Sequence, residues 1–218
     1  MIKSIIFDLD GTLIESLTSI VSSMNILLAR EGFPTHIFDD FRMFVGDGVE
    51  KLVKRSFPDI GEDQIRKYTK DYLDIYIETW REKTLPFKKI PSMLSKFQEN
   101  GIKMFILSNK MDNLTKIQTA EFFPDIYFND VRGATTGIPK KPDPGVAIQM
   151  LETAGLLPGE SIFIGDSGVD IQTGIKTGMI TGGVLWGFRS RKELEDNEAD
   201  HLFEKPEDII ETVFNNRS

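Results

Sequence analysis

The sequence predicts an α/β fold, in which a doubly wound parallel sheet carries an inserted all-helical segment. Three features predict it: short apolar runs that end in polar residues, helical patterns between those runs, and one long stretch with helical periodicity alone. Strands that alternate with helices and cross over right-handed form a parallel sheet. Ligands bind such sheets beyond the carboxyl ends of the strands, which is where the polar residues fall here.

The first predicted strand covers residues 3–7, an apolar run that stops at Asp8. Four later runs have the same form: residues 102–107, 126–128, 161–164 and, more loosely, 180–186. Apolar residues recur at helical spacing between these runs. Short, bounded apolar runs are typical of strands that are buried on both faces of a parallel sheet.

The insertion follows the first strand directly. Its apolar residues repeat every three to four positions, as in Tyr68, Tyr72, Tyr76 and Trp80, and prolines and glycines divide it into several helices. We interpret this aromatic stripe as helix core rather than as a cofactor or base-stacking surface. The sequence thus predicts a helical insertion at residues 15–85.

Composition excludes several classes of protein and site. The 218 residues contain no cysteine and two histidines, so thiol nucleophiles, thiolate zinc sites and disulfide frameworks are excluded, and any metal must be held by oxygen. The net charge of −8 argues against non-specific nucleic-acid binding. The first apolar run is too short for a signal peptide, and no stretch approaches the roughly 20 apolar residues of a membrane span. We therefore expect a soluble cytoplasmic protein with neither nucleic-acid nor membrane partners.

Two carboxylates, Asp8 and Asp10, stand at the end of the first predicted strand. Like charges this close raise each other's pKa unless a cation lies between them or one keeps a proton. One carboxylate can then act as nucleophile and metal ligand, and the other as general acid. The structural alternative is an Asp-Gly turn, but an apolar strand that ends in two acids is a poor hairpin.

A second acidic pair, Asp166 and Asp170, follows the run at residues 161–164. Asp166 beside the first pair would give an all-oxygen site suited to Mg²⁺. Asp170, four residues on, would orient a residue of the site without contacting the metal itself. Helix capping is the alternative interpretation of this pair.

Three further polar residues could bind an anion: two at the end of the second predicted strand and one just before a helix. Ser108 and Asn109 offer a hydroxyl and an amide, and Lys141 offers a mobile point charge that suits phosphate. Helix capping and simple solvation are the respective alternatives. Because all these residues follow predicted strands or begin the next helix, we expect them to converge in one crevice.

Together these residues resemble the haloacid dehalogenase superfamily, specifically its phosphoglycolate phosphatase-like phosphatases with a small helical cap. Four motifs match in order: the nucleophile motif at Asp8 to Thr12, the serine motif at Ser108, the lysine motif at Lys141 and the acidic motif at Asp166 and Asp170. The resemblance covers essentially the whole chain. It implies a Rossmann-like catalytic core at residues 1–14 and 86–218, with the insertion at residues 15–85 as its helical cap domain.

The resemblance also implies catalytic and metal-binding roles. Asp8 would attack phosphorus and form an aspartyl phosphate, and Asp10 would protonate the leaving oxygen and later deprotonate water. The Asp8 carboxylate, the Asp10 backbone carbonyl and Asp166 would hold Mg²⁺. An acid at position 10 favours phosphate chemistry over carbon-halogen cleavage, because dehalogenases of the superfamily usually lack it.

The remaining roles concern the substrate. The resemblance implies that Thr12, Ser108, Asn109 and Lys141 bind it, with Asp170 supporting Lys141 or the metal-bound waters. A glycine-containing loop at residues 44–48 resembles the family's cap loop. The basic residues that follow it, Lys51, Lys54 and Arg55, could meet the leaving group or simply be solvated.

The leading hypothesis is a Mg²⁺-dependent phosphatase that acts on a small phosphorylated metabolite of the phosphoglycolate type. The alternatives are a β-phosphoglucomutase-like sugar-phosphate mutase and a non-catalytic phosphate-binding protein of the superfamily. Phosphonate hydrolysis would need a Schiff-base lysine in the cap, and none can be identified in the sequence. The sequence indicates neither the substrate nor the oligomeric state.

Overall fold

The computed structural model describes residues 1–215 and confirms the predicted α/β fold. Within these residues a parallel sheet has six strands in the order β5-β4-β1-β6-β7-β8. Its strands are β1 (Ser4–Phe7), β4 (Lys103–Met111), β5 (Asp130–Ala134), β6 (Ser161–Gly165), β7 (Ile180–Val184) and β8 (His201–Phe203). Residues 216–218, the end of the predicted core range, lie outside the described part.

Helices cover both faces of the sheet. They are α5 (Ile90–Glu99), α6 (Asp112–Phe122), α7 (Gly145–Thr153), α8 (Gly168–Thr177), α9 (Arg191–Asp196) and α10 (Pro206–Asn215). Because side chains alternate along a strand, Ile5 and Phe7 of β1 pack with α5 and α10, whereas Ile6 packs with α7 on the opposite face. The central strand is therefore buried on both faces, as its uninterrupted apolar run indicates.

Two details of the predicted strands are wrong. The run at residues 126–128 is not a strand; its Ile126 and Phe128 pack against the core from a loop, and the strand begins at Asp130. That strand lies at the edge of the sheet, where half-buried side chains give little apolar pattern. The other edge strand, β8, has three residues and was not predicted.

The segment between β1 and the next strand of the main sheet is helical. It contains α1 (Leu17–Arg30), α2 (Phe38–Phe44), α3 (Val49–Ser56) and α4 (Glu62–Lys83). Two-residue strands, β2 (Ile14–Glu15) and β3 (Leu85–Pro86), pair antiparallel where the chain enters and leaves it. The aromatic stripe of α4 is buried in the core of this layer, as predicted. We call residues 17–83 the helical layer.

The topology places the ends of three strands side by side. Strand β1 lies between β4 and β6, so the residues that follow these strands meet at one edge of the sheet. The backbone N–H of Asp8 donates to the carbonyl of Ile164 at 2.9 Å, which continues the pairing one residue past β1. Within residues 1–215, no helix combines the length and the apolarity that membrane crossing requires.

Candidate active site

A cavity of about 90 Å³ lies between the carboxyl edge of the sheet and the helical layer. This volume is several times the roughly 10–15 Å³ that one water occupies on the same measure, so the cavity suits a small ligand. Most of the predicted site residues line it: Asp8, Asp10, Ser108, Asn109, Lys141, Asp166 and Asp170. Thr12 does not line it, and its buried hydroxyl has no hydrogen-bond partner within residues 1–215, so its role in substrate binding stays a prediction.

Lys141 joins two of the acids. Its Nζ lies 2.7 Å from Asp170 Oδ1 and 2.8 Å from Asp8 Oδ1, and all three side chains are buried. Burial raises the pKa of the Asp8 carboxyl to about 7, although the Lys141 charge opposes the shift. Burial lowers the pKa of Lys141, but Asp170 and Asp8 outweigh this and hold that pKa above its usual value. The lysine is therefore a fixed positive charge beside Asp8.

Asp170 is held by its own helix. It is the third residue of α8 and forms a capping box with the N-cap Ser167: Asp170 Oδ2 accepts hydrogen bonds from the Ser167 backbone N–H at 3.1 Å and from the Ser167 hydroxyl at 2.7 Å. Its other oxygen accepts from Lys141 at 2.7 Å. Since both carboxylate oxygens are engaged, Asp170 is suited to positioning Lys141.

Asp166 is held from the loop after β7. Its Oδ2 accepts the backbone N–H of Phe188 at 2.7 Å. The backbone on each side is glycine: a Cβ at Gly187 would lie 2.2 Å from Asp166 Cβ, and one at Gly11, where φ is +82°, would lie 2.3 Å from Asp166 Oδ2. Burial raises the pKa of Asp166 well above its usual value, and Asp170 and Asp8 add to the shift. The carboxylate is thus fixed in a close-fitting backbone cradle.

The acidic cluster fits a divalent cation. Carboxylate oxygens of Asp8, Asp166 and Asp170 lie within 4.8 Å of one another. The buried Asp8 Oδ1 accepts no hydrogen bond of acceptable geometry from residues 1–215, although Lys141 is near. Buried carboxylates that repel each other and lack donors are stabilised by a cation, and all-oxygen donors suit Mg²⁺. Asp8 and Asp166 are the side chains available to hold it, since Asp170 is already bonded through both oxygens.

Asp10 has partners that the sequence analysis missed. Its Oδ1 accepts from Lys110 Nζ at 2.8 Å and from the Ser16 hydroxyl at 2.5 Å. Lys110 is buried and also donates to the Tyr76 hydroxyl of α4 at 2.9 Å. Burial lowers the pKa of Lys110, but the Asp10 carboxylate outweighs this and raises it. The signal for Lys110 was its position directly after Ser108 and Asn109 at a strand end.

Ser108 and Asn109 make contacts within the protein. The Ser108 hydroxyl accepts the backbone N–H of Lys110 at 3.2 Å. Asn109 Nδ2 donates to the Gly46 carbonyl at 3.0 Å and to the Lys141 carbonyl at 3.1 Å. Asn109 therefore bridges the glycine-containing loop of the helical layer and the lysine loop of the sheet part.

Two arginines also join the helical layer to the sheet part. Arg189, after β7, donates to the carbonyls of Arg42 and, at 2.8 Å, Val45. In return Arg42 donates to the carbonyls of Gly187 and Phe188, each at 3.3 Å. Since Phe188 also donates to Asp166, this reciprocal pair connects the position of the helical layer to the acidic cluster. The sequence analysis did not identify either arginine.

The basic residues after the glycine-containing loop lie elsewhere. Lys51, Lys54 and Arg55 are exposed and do not line the cavity, so the expectation that one of them meets the leaving group is not supported. Arg55 instead donates to Asp47 Oδ2 at 2.6 Å and to the Phe44 carbonyl at 2.9 Å. Arg55 thereby fastens the loop whose backbone contacts Asn109.

Comparisons with known proteins agree with this geometry. A family model described as haloacid dehalogenase-like hydrolase matches residues 5–184. A phosphoglycolate phosphatase from Aquifex aeolicus is 28% identical over 217 residues, covering 98% of this chain and 97% of the relative. One from Psychrobacter arcticus is 29% identical over 209 residues, covering 92% and 90%. A crystal structure of a predicted phosphoglycolate phosphatase from Haemophilus somnus has a TM-score of 0.91 at 23% identity, covering 97% of this chain and 98% of that chain. The family match spans every cavity-lining residue except Phe188 and Arg189, and the chain therefore belongs to the haloacid dehalogenase-like hydrolases.

Proposed function

We propose that the protein is a Mg²⁺-dependent phosphatase that hydrolyses a small phosphorylated metabolite through an aspartyl phosphate on Asp8. The observation that carries this proposal is the buried cluster of Asp8, Asp166 and Asp170 at the carboxyl edge of the sheet, where Lys141 forms ion pairs with Asp8 and Asp170. The curated relatives named phosphoglycolate phosphatase support a phosphomonoester of that kind as substrate.

The first step is transfer of the phosphoryl group to Asp8. A carboxylate oxygen of Asp8 bonds to phosphorus while the ester P–O bond breaks, and Asp10 gives a proton to the leaving oxygen. Lys141 and the Ser108 hydroxyl lie where they could contact the phosphoryl oxygens. Mg²⁺, held by Asp8, Asp166 and the Asp10 backbone carbonyl, would supply neutralisation of the phosphoryl charge.

The second step is hydrolysis of the aspartyl phosphate. Asp10, now a carboxylate, takes a proton from water as the water oxygen bonds to phosphorus and the Asp8 oxygen leaves. The contacts from Lys110 and Ser16 hold Asp10 in one orientation for both proton transfers. Phosphate is released and Asp8 is regenerated.

We also propose that residues 15–85 act as a cap over a core formed by residues 1–14 and 86–218. The cap would exclude water from the cavity during the first step and admit it for the second. Support comes from the cavity, which is bounded by both parts, and from the short β2–β3 pair at the junction. We expect the protein to act in the cytoplasm.

Phosphate release tests the proposal. We expect p-nitrophenyl phosphate and 2-phosphoglycolate to be hydrolysed with Mg²⁺ and not after chelation, and Asp8→Asn to lower kcat by at least about a thousandfold, because the nucleophile is lost. The matched control is Asp125→Asn, an exposed loop acid outside the cavity, which should retain wild-type rates. Full activity in Asp8→Asn would overturn the proposal.

The same preparation distinguishes the two alternatives. A mutase would return the phosphoryl group to a second sugar-phosphate hydroxyl, so it would interconvert phosphosugars faster than it releases phosphate. A non-catalytic binder would release no phosphate and would not form an acyl phosphate on Asp8 from any substrate. We expect phosphate release to exceed transfer for every substrate.

A further inference from the structure

Tyr76, on α4, is a residue of the helical layer whose buried hydroxyl contacts the sheet part. Its side chain borders the cavity and is 2% exposed. The phenol oxygen accepts hydrogen bonds from Lys110 Nζ at 2.9 Å and from Gln118 Nε2 at 3.2 Å. Lys110 belongs to β4 and Gln118 to α6, so both donors come from the sheet part. The two hydrogen bonds fix the Tyr76 hydroxyl beside Lys110.

Tyr76 holds Lys110 with its ring as well as with its hydroxyl. Lys110 Nζ lies 5.1 Å from the centroid of the Tyr76 ring, within the range of a cation–π contact. Tyr72, one helical turn earlier, stacks on the same ring, with the two centroids 5.7 Å apart. The Lys110 side chain is 8% exposed, so little water is available to replace these contacts. The aromatic face of α4 therefore sets the position of the ammonium group.

Lys110 in turn contacts one of the two carboxylate oxygens of Asp10. Asp10 Oδ1 accepts from Lys110 and from the Ser16 hydroxyl, whereas no donor within residues 1–215 bonds to Oδ2. One oxygen is therefore anchored, and the other is left to carry the proton that the proposed mechanism transfers. An ammonium has three N–H donors and no acceptor, so without the Tyr76 oxygen one donor would be free to turn toward Oδ2. The Tyr76 hydroxyl thus keeps Lys110 on the anchored side of Asp10.

We propose that Tyr76 is a positioning residue for proton transfer: acting through Lys110, it holds Asp10 so that Oδ2 stays free to exchange a proton with the leaving oxygen. This inference rests on the proposed function, because it concerns the general acid of the same reaction. It requires no contact between Tyr76 and the substrate. It gives α4 a role in the acid–base step that is separate from covering the cavity.

Two substrates that differ in their need for a proton measure this role. The alkoxide that leaves 2-phosphoglycolate must be protonated, whereas the phenolate that leaves p-nitrophenyl phosphate is stable without a proton. The measured quantity is the ratio of kcat/KM for 2-phosphoglycolate to kcat/KM for p-nitrophenyl phosphate. We expect Asp10→Asn to lower this ratio at least about a hundredfold, because the general acid is lost. Tyr76→Phe should lower it roughly tenfold, the effect of one hydrogen bond to a charged group.

The matched control is Tyr68→Phe. Tyr68 is buried two turns earlier on α4, where its ring stacks on Phe57 outside the cavity, so its ratio should equal that of the wild type. Taking the ratio within one variant cancels any loss of folded protein. An unchanged ratio in Tyr76→Phe would overturn the proposal. A shift of equal size in Tyr68→Phe would assign the effect to helix packing and would overturn it as well.

A double-mutant cycle tests whether Tyr76 acts through Lys110. We expect Lys110→Met, which removes the ammonium group, to lower the ratio at least as much as Tyr76→Phe does. Adding Tyr76→Phe to Lys110→Met should then change the ratio no further. A tenfold shift that persists in the Lys110→Met background would show that Tyr76 acts on the substrate directly, which contradicts this inference alone. Absence of phosphate release from both substrates by the wild type would contradict the proposed function itself.

Discussion

Asp8 combines burial, repulsion and a single cationic neighbour. Burial raises the pKa of its carboxyl from 3.8 to about 7, and the charge of Lys141 only partly opposes this shift. The proposed attack on phosphorus needs the ionised form of Asp8, which is the form that burial disfavours. A bound divalent cation would offset this cost, which connects metal binding to the stability of the fold.

This cost predicts how stability depends on pH. Between about pH 4 and 7 the folded protein keeps a proton on Asp8 that the unfolded chain has lost, so the free energy of unfolding falls as pH rises. The loss amounts to on the order of 4 kcal/mol at most, at about 1.4 kcal/mol per pKa unit. Urea denaturation of metal-free wild type and Asp8→Asn across this range measures it.

Asp8→Asn should give a flatter profile, because asparagine does not titrate. Asp166 will leave part of the slope in place, since its pKa is raised as well. Parallel profiles for the two proteins would contradict the prediction. Added Mg²⁺ should raise the wild-type stability most above pH 7, where Asp8 is ionised in both the folded and the unfolded state.

Particular residues show how much of the site could be predicted from the sequence. Asp8, Asp10 and Asp166 were found because each follows a strand-like apolar run, a local signal. Lys110 and Tyr72 were not identified as cavity residues, although Lys110 directly follows Ser108 and Asn109 and Tyr72 belongs to the aromatic stripe of α4. Every tyrosine of the α4 stripe has the spacing of a buried face, and only the tertiary packing decides which of them borders a cavity.

At the scale of elements, the sequence predicts central strands more accurately than edge strands. Strands β1 and β6 were placed within a residue, because burial on both faces leaves an uninterrupted apolar run. Strand β5 was misplaced, because its half-buried residues lie beside a loop whose Ile126 and Phe128 are more apolar than the strand itself. Apolarity indicates contact with the core, and a loop can supply that contact as well as a strand.

The reciprocal arginines predict how the helical layer is held in place. Arg189→Met keeps the length and apolar volume of the side chain but removes its donors to the carbonyls of Arg42 and Val45. We expect faster amide hydrogen exchange in residues 38–56, and a severalfold loss of kcat/KM, because the layer would close less often over the cavity.

The control is Arg66→Met, an exposed arginine on α4 whose ion pair with Asp63 lies far out on the surface. It should leave both hydrogen exchange and kcat/KM unchanged, since exposed pairs contribute little. Unaltered exchange in residues 38–56 of Arg189→Met would contradict the prediction. A loss confined to the loop after β7 would show that Arg189 stabilises only its own segment.

For the whole molecule, the chain crosses between its two parts twice, near Ser16 and near Pro86. Short connections at both crossings suit a hinge, and hydroxyl contacts such as Ser19 to Thr84, at 2.7 Å, lie next to them. On the other side of the cavity, Arg42, Arg189 and Asn109 bond to backbone carbonyls across the boundary, and Phe188 packs with the apolar residues of the helical layer. The hydrogen bonds to carbonyls can break and reform in water at little net cost.

We therefore expect the helical layer to open and close about the β2–β3 junction. The chain has no cysteine, so spin labels can be placed uniquely at exposed positions, with Asp63→Cys in the helical layer and Glu99→Cys in the sheet part. Double electron–electron resonance should give a broad distance distribution for the free protein. Mg²⁺ with beryllium fluoride, which mimics the phosphoryl group on Asp8, should narrow it toward the shorter distances of the closed form, because the closed cavity surrounds the mimic.

A control pair within the sheet part, Glu99→Cys and Lys192→Cys, should give the same distance distribution in both conditions. If the first pair also gave a single narrow distribution in both conditions, the two parts would form a static unit, and substrate would have to enter without hinge motion.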